Sequence, residues 1–183
     1  VVVLAYAGWN DAGEAATTAA AHLLETFSAR KLATLSMEEF VDYTVVRPHV
    51  RLSDTGARQV RWPDQEFFAI RSETSDFDLV VGLGVEPHLR WRGFSAAIAE
   101  LLDRIDAKLV ILLGAFLDEV IYSQPIQVIG GSTDPELVAR LELPASSYEG
   151  PTGIVGVLGD ELQTAGVPTL SLWARLPHYV QEQ

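Results

Sequence analysis

Four short runs rich in Val, Ile and Leu, at residues 1–7, 78–84, 108–114 and 169–174, are separated by segments whose apolar residues recur with helical period. Runs that are apolar without alternation are the pattern of parallel strands buried on both faces, and such strands need helices on both sides of their sheet. Residues 12–27 place Ala16, Ala20, Leu23, Leu24 and Phe27 on one helical stripe, and residues 91–105 do the same with Phe94, Ala97, Ile98, Leu101 and Ile105. A third helix is expected from Thr152, read as its N-cap, to Gly166, where Pro168 follows as C-terminal punctuation. Gly153, Gly156 and Gly159 on that helix point to close packing. The expected fold is therefore an α/β three-layer α/β/α sandwich on a mostly parallel sheet.

Residues 34–71 read differently. An alternating stretch at 43–52, turn residues at 53–56, then 59–62 and 67–71 predict antiparallel ribbons attached to the sheet. With 183 residues and 48% apolar composition, the chain is expected to be a single domain over 1–183. It opens on Val1 inside an apolar run and ends soon after Tyr179, the expectation being the ordered part of something longer.

Charge and composition narrow the function. A net charge of −12 repels phosphate backbones, so nucleic acid is not an expected partner. No apolar run approaches the roughly 20 residues of a membrane helix, and the first seven residues lack signal-peptide flanks. The expectation is no membrane association and a cytoplasmic location. The absence of cysteine excludes disulfides and thiolate metal sites. Neither G-x-S-x-G nor a Walker loop occurs, so no nucleophile or nucleotide signature supports an enzyme.

In open α/β sheets ligands bind beyond the carboxyl ends of the strands, so the loops there are the place to look. After the first run comes Gly8-Trp9-Asn10-Asp11-Ala12-Gly13, and after the second Gly84-Val85-Glu86-Pro87-His88, with Trp91 opening the next helix. The third and fourth add Asp118-Glu119 and Pro177-His178-Tyr179. The expectation is that Asn10, Asp11, Glu86, His88 and His178 surround one depression, with Trp9, Gly13, Trp91, Tyr148 and Tyr179 completing a candidate ligand cleft.

Each feature also has a plainer reading. The helix start after Gly13 suits a phosphate, but Asp11 is an equally good cap that would occupy those amides. Glu86, His88, His178 and Asp11 offer ligand atoms, yet no metal-binding spacing is present, so no metal and no cofactor are expected. Trp9, Trp91 and Trp173 have faces to stack on a base, and large aromatics at sheet ends also plug cores. Neighbouring Asp118 and Glu119 point apart on a strand and do not share a proton.

These same loops carry a resemblance. Gly8-Trp9-Asn10-Asp11-Ala12-Gly13 with Ala15-Ala16 and His22-Leu23, Gly84-x-Glu86-Pro87-His88-x-x-Trp91, Tyr148-x-Gly150-Pro151-x-Gly153 and Pro177-His178-Tyr179-Val180 together resemble the proteasome assembly chaperone two (PAC-two) family, in its actinobacterial branch. The resemblance implies a fold similar to purine nucleoside phosphorylases, self-association, and a C-terminal helical region absent from this chain. It also implies chaperone activity, known for eukaryotic and archaeal relatives and not established for bacterial ones. Where relatives often carry Pro-His-Thr-Arg-Pro after the third strand, this chain has Ile121-Tyr122-Ser123-Gln124-Pro125, without the His and Arg that would hold an anion.

The expected function is a non-enzymatic interaction protein with a protein partner, a proteasome-related one being what the resemblance implies. The competing reading is an enzyme or binder of a nucleoside or other N-glycoside in the strand-end cleft. A homo-oligomer, with a trimer as the order considered, is expected through the ribbon, where Tyr43, Val45, Phe67 and Phe68 would contribute to the contact.

Overall fold

The computed structural model describes residues 1–72, 75–144 and 148–179. Val180 of the last motif lies outside them. Nine strands and four α-helices follow in the order β1 (Val2–Ala7), α1 (Ala15–Thr26), β2 (Ala29–Leu35), β3 (His49–Leu52), β4 (Arg58–Arg61), β5 (Gln65–Ile70), β6 (Leu79–Val85), α2 (Trp91–Arg104), β7 (Val110–Asp118), β8 (Val128–Ser132), α3 (Pro135–Leu141), α4 (Ile154–Thr164) and β9 (Thr169–Pro177). Seven strands form one sheet, in the order β2-β5-β6-β1-β7-β9-β8. The four runs singled out in the sequence are its central parallel strands β6, β1, β7 and β9, and antiparallel strands close both edges.

The layers differ in the size of the side chains they bury. Toward α2 and α4 the sheet presents Val2, Leu4, Tyr6, Phe67, Val110 and Leu112, which meet Phe94, Ile98 and Leu102 of α2 and Ile154, Leu158 and Leu162 of α4. Toward α1 it presents Ala5, Val81 and Ile70 against Ala16 and Ala20, small residues that let the helix lie close. On β6, the glycines make room for large neighbours. Gly82 lies in register with Leu4 and Phe67, and a Cβ there would come within 2.6 Å of Leu4 Cδ2. Gly84 lies in register with Tyr6, and a Cβ on it would come within 2.0 Å of Gln65 Oε1.

Three expectations need correction. The stretch 43–52 is not one strand, since only His49–Leu52 pairs, with Arg58–Arg61, into a separate two-stranded ribbon. Residues 65–70 belong to the main sheet instead of an appended ribbon, because β5 pairs with β6 and buries Gln65 and Phe67, with Ile70 buried toward α1. Phe67, expected at an oligomer contact, is 1% exposed inside the core, and Phe68 is half-buried. Tyr43 is also half-buried, stacked edge-on at 5.0 Å against Trp62. Of the four contact residues only Val45 is openly exposed. Strands β2 and β8 and helix α3 have no counterpart in the sequence reading.

Two neighbours on β5 test this packing in opposite directions. Phe67→Ala opens a hole between Leu4 and Gly82 and is expected to lower unfolding stability by about 3–5 kcal/mol. Gln65 is fully buried, and its amide has no hydrogen-bond partner among the described residues. Gln65→Met keeps the volume and removes an unpaired amide, so it is expected to raise stability by about 1 kcal/mol. Urea unfolding of both variants checks the pair, and a destabilised Gln65→Met would show that the amide is satisfied.

Candidate functional site

The C-terminal ends of β1 and β6 are joined by one carboxylate. Glu86, directly after β6, accepts from Asn10 Nδ2 at 2.8 Å and from the Ile154 amide at 2.8 Å through Oε1, and from the Trp9 amide at 3.1 Å through Oε2. Asn10 is itself buried, and its carbonyl accepts from the Ala115 amide at 2.7 Å. Ile154 opens α4, whose N-cap is Gly153 and not Thr152 as the sequence suggested. A glycine has no side chain to cap a helix, and Glu86 caps it from another part of the chain. The negative charge also suits the positive end of the helix dipole. Gly153 is required because a Cβ there would sit 2.0 Å from Asn10 Nδ2 and 2.6 Å from Glu86 Oε1.

Asp11 turns away from this group and caps α1. Gly13 and Glu14 both take left-handed backbone angles in the short 3-10 turn before that helix. The bend brings Asp11 Oδ1 to the amides of Ala16 (2.7 Å) and Thr17 (3.2 Å), while Oδ2 accepts from the Thr17 hydroxyl. The amides that would hold a phosphate are thus occupied by a carboxylate, the plainer of the two readings of this loop.

His88 and His178 lie apart from Glu86. His88 Nδ1 accepts from the Asp42 amide at 3.3 Å, and the amides of His88 and Leu89 donate to the Phe40 carbonyl, pinning residues 40–42 over the loop after β6. The Thr44 hydroxyl and amide hold the Asp42 carboxyl below the usual range. His178 follows β9, which is separated from β1 by β7. Its amide donates to the Asp118 carbonyl, and its ring lies edge-on to Tyr179 at 5.3 Å. Tyr179 Oη accepts from the Tyr122 amide at 2.9 Å. Asp118 also binds Arg175 Nε at 2.7 Å, a bond that, with the Glu119 amide, holds its carboxyl low.

The single depression expected from Asn10, Asp11, Glu86, His88 and His178 is therefore four separate groups on one sheet edge. Asn10 and Glu86 share one, Asp11 and His88 serve their own local segments, and His178 joins Asp118, Tyr122 and Tyr179. Trp9 and Tyr148 are exposed, with Tyr148 Oη donating to the Pro151 carbonyl at 2.9 Å, and Trp91 packs against the core. Gly13 abuts Leu176, since a Cβ on it would come 3.0 Å from Leu176 Cδ2. Among the described residues no group of three His, Cys, Asp or Glu is placed to hold a metal ion. A cavity of about 350 Å³ beside α4, lined by Trp173, Ser171, Thr133, Asp160 and Gln163 among others, has no counterpart in the sequence reading. Its walls come from β7, β8 with Thr133 after it, β9 and α4, and meet only in three dimensions.

The comparisons with known proteins agree with this architecture. The PAC2 family model matches residues 5–183. A PAC2 family protein from Streptomyces avermitilis is 39% identical, with a TM-score of 0.90 over 99% of this chain and 77% of that one. A proteasome-assembly chaperone homologue from Mycobacterium tuberculosis is 38% identical, with a TM-score of 0.89 over 98% and 76%. PbaB, an archaeal proteasome activator from Pyrococcus furiosus, shares the fold at 17% identity, with a TM-score of 0.75 over 98% and 75%. A search among curated proteins finds no match.

Removing the Glu86 carboxylate orphans three donors at once. Glu86→Ala is expected to cost about 3 kcal/mol and to speed hydrogen exchange at the Ile154 amide, whereas Asp11→Ala is expected to cost about 1–2 kcal/mol and to loosen α1 alone. Urea unfolding with residue-resolved exchange separates the two, and an unchanged Ile154 amide in Glu86→Ala would refute the capping role.

Proposed function

The chain belongs to the PAC2 family, and from that membership we propose that it is a non-enzymatic, assembly-chaperone-like protein that acts through a protein partner and through self-association. The proposed partner is proteasome-related, the proposed assembly is a homo-oligomer with a trimer as its order, and the proposed setting is the cytoplasm. The observation that carries this reading is the state of the strand-end groups. Glu86, Asp11, His88 and Asp118 are engaged with backbone amides, and the three carboxylates also with Asn10, Thr17 and Arg175, while the His178 ring lies edge-on to Tyr179. Groups held this way position loops and helices, and recruiting one for proton transfer or metal binding would disturb the bonds that hold those segments. That supports a binding surface over a nucleoside or N-glycoside site in the same place.

The relative from Mycobacterium tuberculosis, a proteasome-assembly chaperone homologue, supports the same direction. No helix among the described residues is long and apolar enough to cross a membrane. The test is capture of partners by the tagged full-length protein from its own cells, read by mass spectrometry against a tag-only control. Proteasome subunits or their precursors are expected in stoichiometric amount. Recovery of none, together with turnover of a nucleoside by the purified protein, would overturn the proposal.

A further inference from the structure

Toward its β8 edge, the sheet face under α4 runs out of side chains. The register across β7, β9 and β8 aligns Leu112, Ser171 and Gly131 in one row, from a full side chain through a small hydroxyl to none. Helix α4 packs mainly on β9, β7 and β1. It lines the row with Gly156, Gly159, Asp160 and Gln163, which share one helical face. A Cβ on Gly131 would meet nothing within 4 Å, and one on Gly159 would meet only Leu112 Cδ1, at 3.6 Å. The cavity of about 350 Å³ beside α4 is the room these positions leave. Ligand pockets begin at about 300 Å³, so it is large enough for a small molecule. It follows the first half of β9 and lies away from the Glu86 joint.

The lining decides what such a molecule must be. The Ser171 hydroxyl donates to the Gly131 carbonyl at 3.3 Å and the Ser132 hydroxyl to the Thr169 carbonyl at 2.7 Å, while Thr133 Oγ1 accepts from the Thr169 amide at 3.1 Å. With both serine protons directed at the backbone, the serine oxygens keep lone pairs for an occupant. Asp160 adds a carboxylate that enters none of the ion pairs among the described residues. No Lys, Arg or His among the described residues lines the cavity. Acceptors around a single negative charge repel a phosphate or a carboxylate and suit a donor that carries positive charge. Trp173 points the same way, since the face of an indole ring attracts ammonium groups. Its ring lies over Gly114, where a Cβ would come within 2.5 Å of Trp173 Cε3, and it bounds the cavity along β9. Leu112 and Val155 supply the apolar part of the wall.

We propose that the cavity is a site for a small aliphatic amine in its ammonium form. Asp160 on the helix wall and the hydroxyl oxygens of the floor hold the ammonium group, and the carbon chain lies along Trp173, Leu112 and Val155. A neutral sugar of similar size would need as many donors as acceptors, and the floor offers mainly acceptors. The net charge of −12 draws cations to the whole surface, and the cavity adds the shape and the aromatic face that an acidic surface lacks. This site goes beyond the protein partner proposed above and does not depend on it.

Calorimetric titration of the full-length protein with putrescine is expected to show a saturable site of millimolar affinity or better. Butanediol, the same chain without the charge, is expected to bind about tenfold more weakly. Asp160→Asn is expected to weaken putrescine about tenfold, the loss of one hydrogen-bonded charge. Glu161→Gln removes the same charge from the next residue of α4, which is exposed and does not line the cavity, and is expected to leave the affinity unchanged. Gly131→Leu fills the space at a position with no left-handed backbone angle, and is expected to abolish binding while the unfolding midpoint is kept. Putrescine is also expected to shift the amide NMR signals of Gly131 and Gly159. An unmodified chain that does not bind putrescine overturns the inference. Equal losses in Asp160→Asn and Glu161→Gln would mean general attraction to an acidic surface, and butanediol or glucose binding as tightly as putrescine would mean a site for neutral ligands. Either result overturns it too.

Discussion

A single carboxylate holds the functional edge of this molecule together. Glu86 takes donors from the loop after β1, from Asn10 and from the first turn of α4, so three segments distant in sequence share one anionic centre. The arrangement makes α4 conditional on the sheet, because a helix that starts on Gly153 has no cap of its own. It also explains why three of the sequence motifs coexist. Gly8–Gly13 supplies Trp9 and Asn10, the second motif supplies Glu86, and the Tyr148–Gly153 motif delivers a helix start with no Cβ in the way. The motifs mark a structural joint, at the position where an open α/β sheet would otherwise receive a ligand.

The interior follows from a similar division of space. β6 gives up side chains at Gly82 and Gly84, and the freed volume is taken by Leu4 and Phe67 in one row and by Tyr6 and Gln65 in the next. Tyr6 is buried deeply enough to push its phenol well above the usual range, and its ring meets Phe94 of α2 at 5.7 Å. On the opposite face alanines admit α1 closely. Large side chains therefore gather under α2 and α4, and the strand-end loops are anchored on the more heavily packed side.

The central fold was legible in the sequence because buried parallel strands leave unbroken aliphatic runs, and those runs are β1, β6, β7 and β9. The α1 and α2 stripes were legible because each buries residues at helical spacing, and α4 was legible from the Gly166 and Pro168 that follow it. Edge strands are harder to see. β2 buries no residue completely, and β8 buries only Gly130, so neither produces a periodic signal. Phe67 was misplaced because an alternating strand looks alike whether its apolar face meets a core or a partner, and only the pairing with β6 decides. The strand-end residues were located on the correct edge, but loop order carries no information on side-chain direction. Asp11 and Glu86 follow neighbouring strands, yet one turns to its own helix and the other to α4.

What remains open to an outside partner lies at the flanks of the sheet. The strand-end centre is filled by its own hydrogen bonds, and the cores on both faces are covered by helices. Among the described residues, nine of the eighteen large apolar side chains left in solvent lie in the β3–β4 ribbon with Trp62 and in the segment from the end of β7 into β8. A chain of net charge −12 gains little from like surfaces meeting, because repulsion grows with every acid brought near another. The ends of the strands are thus taken up by internal joints, and much of the open apolar surface lies away from them.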